Sequence, residues 1–211
     1  MIERLDPKKT ALLIIDPQND FLSSGGVMWD KVGNGVKEAK VVEHLVDLKK
    51  IAREVGVPVF YSPHYYTDDE FKSWKHLNAV DKIMFDRKMY RKGTWGADFH
   101  PQLQPDENTF VLAPHKGLSN FWTGDTNIQL RQREIQTIIL AGMSANLCVE
   151  SHLRDAIEHG FDVIIVKDAT TGAGPDATKA AHTNFGFIAT EVVTTEEMVT
   201  RLEEIAPTSK T

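Results

Sequence analysis

Short apolar runs, each stopped by a polar or turn-forming residue and each followed by sequence of helical period, constrain this chain more than any other feature. Ala11-Leu12-Leu13-Ile14-Ile15 is wholly apolar and ends at Asp16-Pro17. A run of that length with no polar alternation predicts a strand buried on both faces. Val57–Tyr61, Thr109–Ala113, Thr137–Ala141 and Asp162–Val166 repeat the pattern, and Gly186–Val193 is a sixth, less regular case. Between them, Val36–Val55 sets Val36, Ala39, Val42, Leu45, Val46, Ala52 and Val55 mostly on one stripe, with Gly56 where a C-cap glycine belongs. Asp125–Glu134, Cys148–His159, Asp176–Asn184 and Thr195–Ile205 also read as helices. Strands alternating with helices imply right-handed crossovers, hence an α/β fold with a doubly wound parallel sheet and helices on both faces.

The 211 residues suit one domain, 1–211. The alternation breaks once, between Ser62 and Asn108, where no clean strand occurs and aromatic residues crowd (Tyr65, Tyr66, Phe71, Trp74, Phe85, Tyr90, Trp95, Phe99). A connection that long serves a site or a subunit contact, or is a helical cover packed over the sheet. Lys+Arg 24 against Asp+Glu 30 gives a net charge of −6, which argues against a nucleic-acid partner. No apolar run reaches the roughly 18 residues a bilayer requires, and Met1–Lys9 carries no signal-peptide core, so a cytoplasmic location and no membrane partner are expected. The one cysteine, Cys148, excludes an internal disulfide and any multi-cysteine metal cluster.

Ligands of open parallel sheets bind beyond the carboxyl ends of the strands. On this chain that rim receives Asp16 after the first strand, Pro114-His115-Lys116 after the third, and Gly142–Cys148 after the fourth. A thiol where a turn gives way to a helix feels the positive end of the helix dipole, which favours thiolate. Asp16 is the best-placed base for its proton, and the charge of Lys116 would steady both anions. Singly, each has an ordinary reading: an inert buried cysteine, a turn-forming aspartate, a solvated lysine. Jointly they form a nucleophile, a base and a cation.

These stretches resemble the isochorismatase-like cysteine hydrolases, a family that includes nicotinamidases, N-carbamoylsarcosine amidases and ureidoacrylate hydrolases. The resemblance is carried by ALLIIDPQNDF at Ala11–Phe21, GTWG at Gly93–Gly96, Lys116 with Ser119-Asn120-Phe121 and Gly124-Asp125, and AGMSANLCV at Ala141–Val149. Arg154-Asp155-Ala156, Gly160 and Val166-Lys167-Asp168-Ala169 extend it. It implies a six-stranded parallel sheet and an Asp–Lys–Cys triad: Asp16 as general base, Lys116 as orienting cation, Cys148 as nucleophile. It further implies a non-proline cis peptide between Met143 and Ser144, and an oxyanion hole from the backbone N–H groups of Ser144 and Cys148.

The implied activity is cysteine-dependent hydrolysis of a C–N bond (amide, carbamoyl or ureido) in a small molecule, without a cofactor, in a homo-oligomer. The alternatives are a redox-sensing thiol protein on the same scaffold and an isochorismatase-type vinyl-ether hydrolase, which needs no cysteine. Nicotinamidases add a metal held by an Asp-x-His pair. Here that stretch is Ser62-Pro63-His64 and lacks the carboxylate, so no metal is expected, with His64 and His76 the remaining candidate ligands. Phe21, Trp95 and Phe121 could wall a substrate pocket or simply pack the core, and Gln18 and Asn19 could orient substrate or satisfy the turn. Arg87, Arg91 and Lys92 are a solvated or subunit-facing cluster rather than a carboxylate site. Gly172-Ala173-Gly174-Pro175 lacks the spacing of a nucleotide-binding loop.

Overall fold

The computed structural model describes Ile2 and residues 4–206. Six parallel strands, β1 (Thr10–Ile15), β2 (Val59–Ser62), β3 (Thr109–Val111), β4 (Thr137–Gly142), β5 (Asp162–Val166) and β6 (Glu191–Val193), form one sheet in the order β3-β2-β1-β4-β5-β6. Winding runs one way from β1 through β3 and the other way from β4 through β6, so the topological switch point lies between β1 and β4. Ile15 is in register with Ser62 on one side and Gly142 on the other. The segments that leave β1, β2 and β4 therefore depart from one level of the rim.

The helices are α1 (Asn19–Leu22), α2 (Trp29–Glu38), α3 (Val41–Val55), α4 (Asp68–Ser73), α5 (Ala79–Asp86), α6 (Asn120–Thr123), α7 (Thr126–Arg131), α8 (Glu150–Glu158), α9 (Pro175–Ile188) and α10 (Thr195–Glu203). Strand side chains alternate between faces, and β1 divides accordingly. Leu12 and Ile14 join the core formed with Val36 of α2, Leu45 and Leu48 of α3, and Met198 and Leu202 of α10. Ala11, Leu13 and Ile15 face the opposite core, with Leu130 of α7, Leu153 of α8 and Phe185 of α9. Burial on both faces explains why the strand sequences carry no polar alternation.

Three expectations change in detail. The stripe expected as one helix over Val36–Val55 is two, because Lys40 adopts a left-handed conformation (φ 50°) that ends α2 and restarts the chain as α3. Both halves still bury the same apolar row. The sixth strand shrinks to Glu191–Val193, since Gly186–Ile188 completes the last turn of α9. β3 keeps only three residues at the sheet edge, where Phe110 and Val111 stay exposed.

The 62–108 connection is a helical cover. It carries α4, α5 and two short 3-10 turns, Trp95–Ala97 and Pro101–Leu103. Tyr66, Phe71, Trp74 and Phe85 pack with ring centroids 4.9–5.8 Å apart; Tyr66 and Tyr90 are fully buried, while Trp74 and Trp95 stay partly exposed. Among the described residues no helix is long and apolar enough to cross a membrane.

Candidate active site

The three rim segments are tied together before any functional side chain is placed. Asp16 N–H donates to the Ser62 carbonyl at 3.0 Å and Met143 N–H to the Ile15 carbonyl at 2.9 Å. Gly142 permits this approach: at φ 114°, a Cβ there would lie 2.2 Å from the Ile15 carbonyl oxygen. Asp16 follows with φ 48°, a left-handed conformation that aspartate tolerates better than most residues. The turn carries its carboxylate into the interior, where it is fully buried. After β4 the Met143–Ser144 peptide is cis, as the resemblance implied. Ala145–Val149 then winds as one π turn, closed by Val149 N–H donating to the Ser144 carbonyl at 3.1 Å.

Cys148, at the end of that turn, is buried against the Asp16 carboxylate. Its sulfur, one carboxylate oxygen of Asp16 and one ring nitrogen of His64 lie within 4.8 Å of one another. Burial, and then the adjacent Asp16 carboxylate, push the thiol well above its ordinary value, while the backbone N–H groups of Ser144 and Cys148 pull it the other way. The proton is thus held on sulfur beside an acceptor, and the two N–H groups converge on the same point.

The expected cation is elsewhere. Lys116 Nζ pairs with Glu70 Oε2 at 2.8 Å, bonds the Tyr65 carbonyl, and lies over the Tyr66 ring. His115 takes the position on the carboxylate, with Nε2 2.9 Å from Asp16 Oδ1 and both side chains fully buried. The reason is strand alternation. His115 continues the β2–β3 pairing by a parallel bridge to His64, so consecutive residues point to opposite faces, and if 115 faces in, 116 faces out. Residue type singled out Lys116, whereas backbone parity selects its neighbour.

The 62–108 connection lines this site. The His64 ring stacks on Tyr90 (centroids 5.0 Å, planes 26° apart) and lies 4.2 Å from the His115 ring. Its backbone is clamped by Gln18, whose Nε2 donates to the His64 carbonyl at 3.0 Å and whose Oε1 accepts from the His64 N–H at 2.8 Å. Both His64 ring nitrogens and the Tyr90 hydroxyl are buried without hydrogen-bond partners among the described residues. Burial holds the His64 imidazole far below its ordinary value, hence neutral. Below the site, His152 of α8 bonds the Cys148 carbonyl through Nδ1 at 2.7 Å, while its Nε2 accepts from Asn120 N–H at 3.0 Å. It therefore fastens the Cys148 turn to α6. Sequence reasoning passed over His115, His152 and Tyr90; the four-residue spacing of Cys148 and His152, in a stretch that reads as one helix in the sequence, was the available signal for His152.

The other expected residues have plain locations. Phe21 packs edge-on against Tyr90, and Phe121 belongs to the same apolar cluster as Cys148, against the rings of His159 and Phe161. Trp95 stands half exposed. Asn19 holds the Trp95 carbonyl through Nδ2 at 2.9 Å, so Gln18 and Asn19 both act on backbone. Arg87 and Arg91 form two-pronged pairs with Asp30 and Asp68. A nicotinamidase-type metal set does not fit here: the Ser62 hydroxyl is engaged with His152 at 3.2 Å, and His76 is exposed.

Comparison with known proteins bears on the family and the fold. The isochorismatase domain family matches residues 10–197. The ureidoacrylate amidohydrolase RutB of Agrobacterium fabrum is 30% identical over 204 residues, covering 88% of each chain. The RutB of Caulobacter segnis is 31% identical over 204 residues, covering 88% of this chain and 84% of that protein. Among solved structures, a cysteine hydrolase from Pseudomonas syringae superposes with a TM-score of 0.81 at 22% identity over 95% of both chains. N-carbamoylsarcosine amidase from Thermoplasma acidophilum gives 0.66 at 23% identity, covering 89% of this chain and 97% of that one.

Proposed function

This chain belongs to the isochorismatase family of hydrolases, and from that premise we propose that it hydrolyses a non-peptide C–N bond of a small amide, carbamoyl or ureido compound through a covalent intermediate on Cys148. The observation that carries the reading is the buried Cys148 thiol beside the Asp16 carboxylate, with the N–H groups of Ser144 and Cys148 converging on it. Asp16 takes the thiol proton as sulfur attacks the carbonyl carbon. The oxyanion is held by the two N–H groups, each worth about 2.7–4 kcal/mol of barrier in comparable sites. Protonated Asp16 returns the proton to the leaving nitrogen, and ammonia or an amine departs. Water, giving a proton to Asp16, then cleaves the thioester and the thiol is restored. His115 acts on Asp16, its Nε2–H fixing one carboxylate oxygen so that the other is free for proton transfer.

The relatives named for ureidoacrylate and N-carbamoylsarcosine make ureides and carbamoyl compounds the first substrates to try. Ammonia release from such a panel, with and without thiol alkylation, tests the reading. Cys148→Ala is expected to abolish release while the far-ultraviolet circular dichroism is kept, and near-normal rates in that variant would refute it. A redox-sensor role suits the site less well, because sensor thiols are exposed and acidic, and this one is neither. A homo-oligomer is part of the proposal; Phe187 and Trp122, both largely exposed, are side chains a second copy could cover.

A further inference from the structure

His64 has no task in that chemistry, yet it is the most unusual side chain of the site. It is fully buried, both of its ring nitrogens lack partners among the described residues, and Gln18 fixes its backbone so that the ring is presented toward Asp16 and Cys148. An unpaired polar group in a dry interior costs roughly 1–3 kcal/mol, so such an imidazole implies something that meets it there. What lies in reach is a carboxylate oxygen and a sulfur, each within 4.8 Å of a His64 nitrogen and of each other. Among the described residues one carboxylate oxygen of Asp16 is itself unpartnered, the other being fixed by His115. A buried ligand carboxylate steadied through its second oxygen is a recurring feature of metal centres.

We propose that Asp16, His64 and Cys148 bind a zinc-class divalent cation, and that this ion inhibits the hydrolase by occupying its nucleophile and its base at once. One sulfur, one imidazole nitrogen and one carboxylate oxygen form a ligand set suited to a borderline-soft ion, and three protein ligands leave a fourth position for water. Magnesium and calcium would not take the thiolate. With metal–ligand bonds of about 2.0–2.3 Å, the ligand atoms of a tetrahedral site lie about 3.3–3.8 Å apart, so the present spacing asks for side-chain shifts of about 1 Å. Binding displaces the thiol proton to solvent, since the thiolate is the ligand. This set is distinct from the Asp-x-His arrangement, which needs a carboxylate where Ser62 stands. The binding claim is independent of the catalytic reading, and the inhibition claim rests on it.

The probe is cobalt(II), added to protein dialysed against EDTA, with the thiolate-to-cobalt charge-transfer band as the signal. One equivalent is expected to bind with that band, and zinc to displace it. The band is expected to vanish in Cys148→Ala, and affinity to fall at least tenfold in His64→Gln and in His64→Phe, each checked for folding by circular dichroism. Zinc is expected to inhibit ammonia release, EDTA to reverse it, and magnesium to do neither. Absence of the band in the wild-type protein, or unchanged affinity in both folded His64 variants, overturns the site. The two readings fail separately: a wild-type enzyme silenced by alkylation but silent to cobalt loses the metal site alone, and a Cys148→Ala variant that still hydrolyses loses the nucleophile while the wild-type band keeps the site.

Discussion

His115 Nε2 lies 2.9 Å from Asp16 Oδ1, and neither side chain is exposed to solvent. The residue that holds the Asp16 carboxylate is therefore an imidazole. The lysine next to it, which the resemblance pointed to, is spent on Glu70 and the Tyr65 carbonyl. This relationship yields a sharp contrast between adjacent positions. His115→Ala leaves a buried carboxylate with no donor on Oδ1, and kcat/KM is expected to fall about 10²-fold or more, as when an orienting group behind a catalytic residue is removed. Lys116→Met removes a partly exposed ion pair, worth at most about 1 kcal/mol, together with the bond to the Tyr65 carbonyl and the place over the Tyr66 ring; none of these touches Asp16, and activity is expected to stay within about threefold of wild type. Steady-state kinetics of the two variants settles which residue serves Asp16; a severe loss in Lys116→Met alone would return the role to lysine.

Gly142 is the hinge on which the rim is built. A methyl group there would meet both the carbonyl oxygen and the amide nitrogen of Ile15, at 2.2 and 2.5 Å, and φ 114° suits glycine alone. Neither obstacle can rotate away, because both atoms belong to the neighbouring strand's backbone. Gly142→Ala is expected to destabilise the protein by about 3 kcal/mol or more, or roughly 6–12 °C in Tm for a domain of this size. Activity should fall even where the variant remains folded, since β1 and β4 must part and Asp16 moves with β1. Thermal unfolding and ammonia release on the same preparation check both parts.

The buried imidazoles set an acid limit on stability. His152 is held down to about 3 by burial, and His64 is displaced in the same direction. A histidine whose native pKa lies below its unfolded value of about 6.5 binds its proton only after unfolding. Its stabilising contribution is complete above about pH 6.5 and is lost as pH falls toward the native value, at up to about 1.4 kcal/mol per pH unit for each such group. Urea unfolding between pH 7 and pH 5 should therefore show stability falling with acid, before most carboxylates titrate. A flat profile over that interval would contradict neutral burial of both rings.

The sheet was legible because burial on both faces removes polar residues from a strand, leaving runs such as Ala11–Ile15 and Thr137–Ala141 that resemble little else. The rim positions of Asp16 and Cys148 were legible for a related reason: Asp16 directly follows one such run, and Cys148 lies in the short segment that leaves another. What failed to show was anything decided by direction rather than identity. Whether 115 or 116 faces the carboxylate depends on the parity of an extended segment past the visible end of β3. The break at Lys40 depends on one residue's φ, to which an amphipathic stripe is blind. The aromatic connection stayed open between a site, a subunit contact and a helical cover because composition does not tell inward from outward; Tyr66 and Tyr90 turn inward, against the His64 ring.

Gln18 gives a last test of how the site is held, because its amide is used at both ends. Its Nε2 donates to the carbonyls of His64 and Ala97, at 3.0 and 2.7 Å, and its Oε1 accepts from the His64 N–H. Gln18→Met keeps the size and loses all three bonds, leaving buried backbone groups unpaired, at an expected cost of about 2–4 kcal/mol. Gln18→Glu has the more informative signature. An ionised carboxylate there would set an oxygen against two carbonyl oxygens in a buried position, whereas a protonated one can still donate. Its native pKa is thus raised above the unfolded value, so its contribution is present at low pH and lost as pH rises through the native pKa. Between pH 5 and pH 7 the stability of Gln18→Glu is expected to fall, or to rise less steeply, as that of the wild-type protein rises. Urea midpoints at the two pH values decide it, and parallel trends in the two proteins would mean that the Gln18 amide is not the clamp on His64.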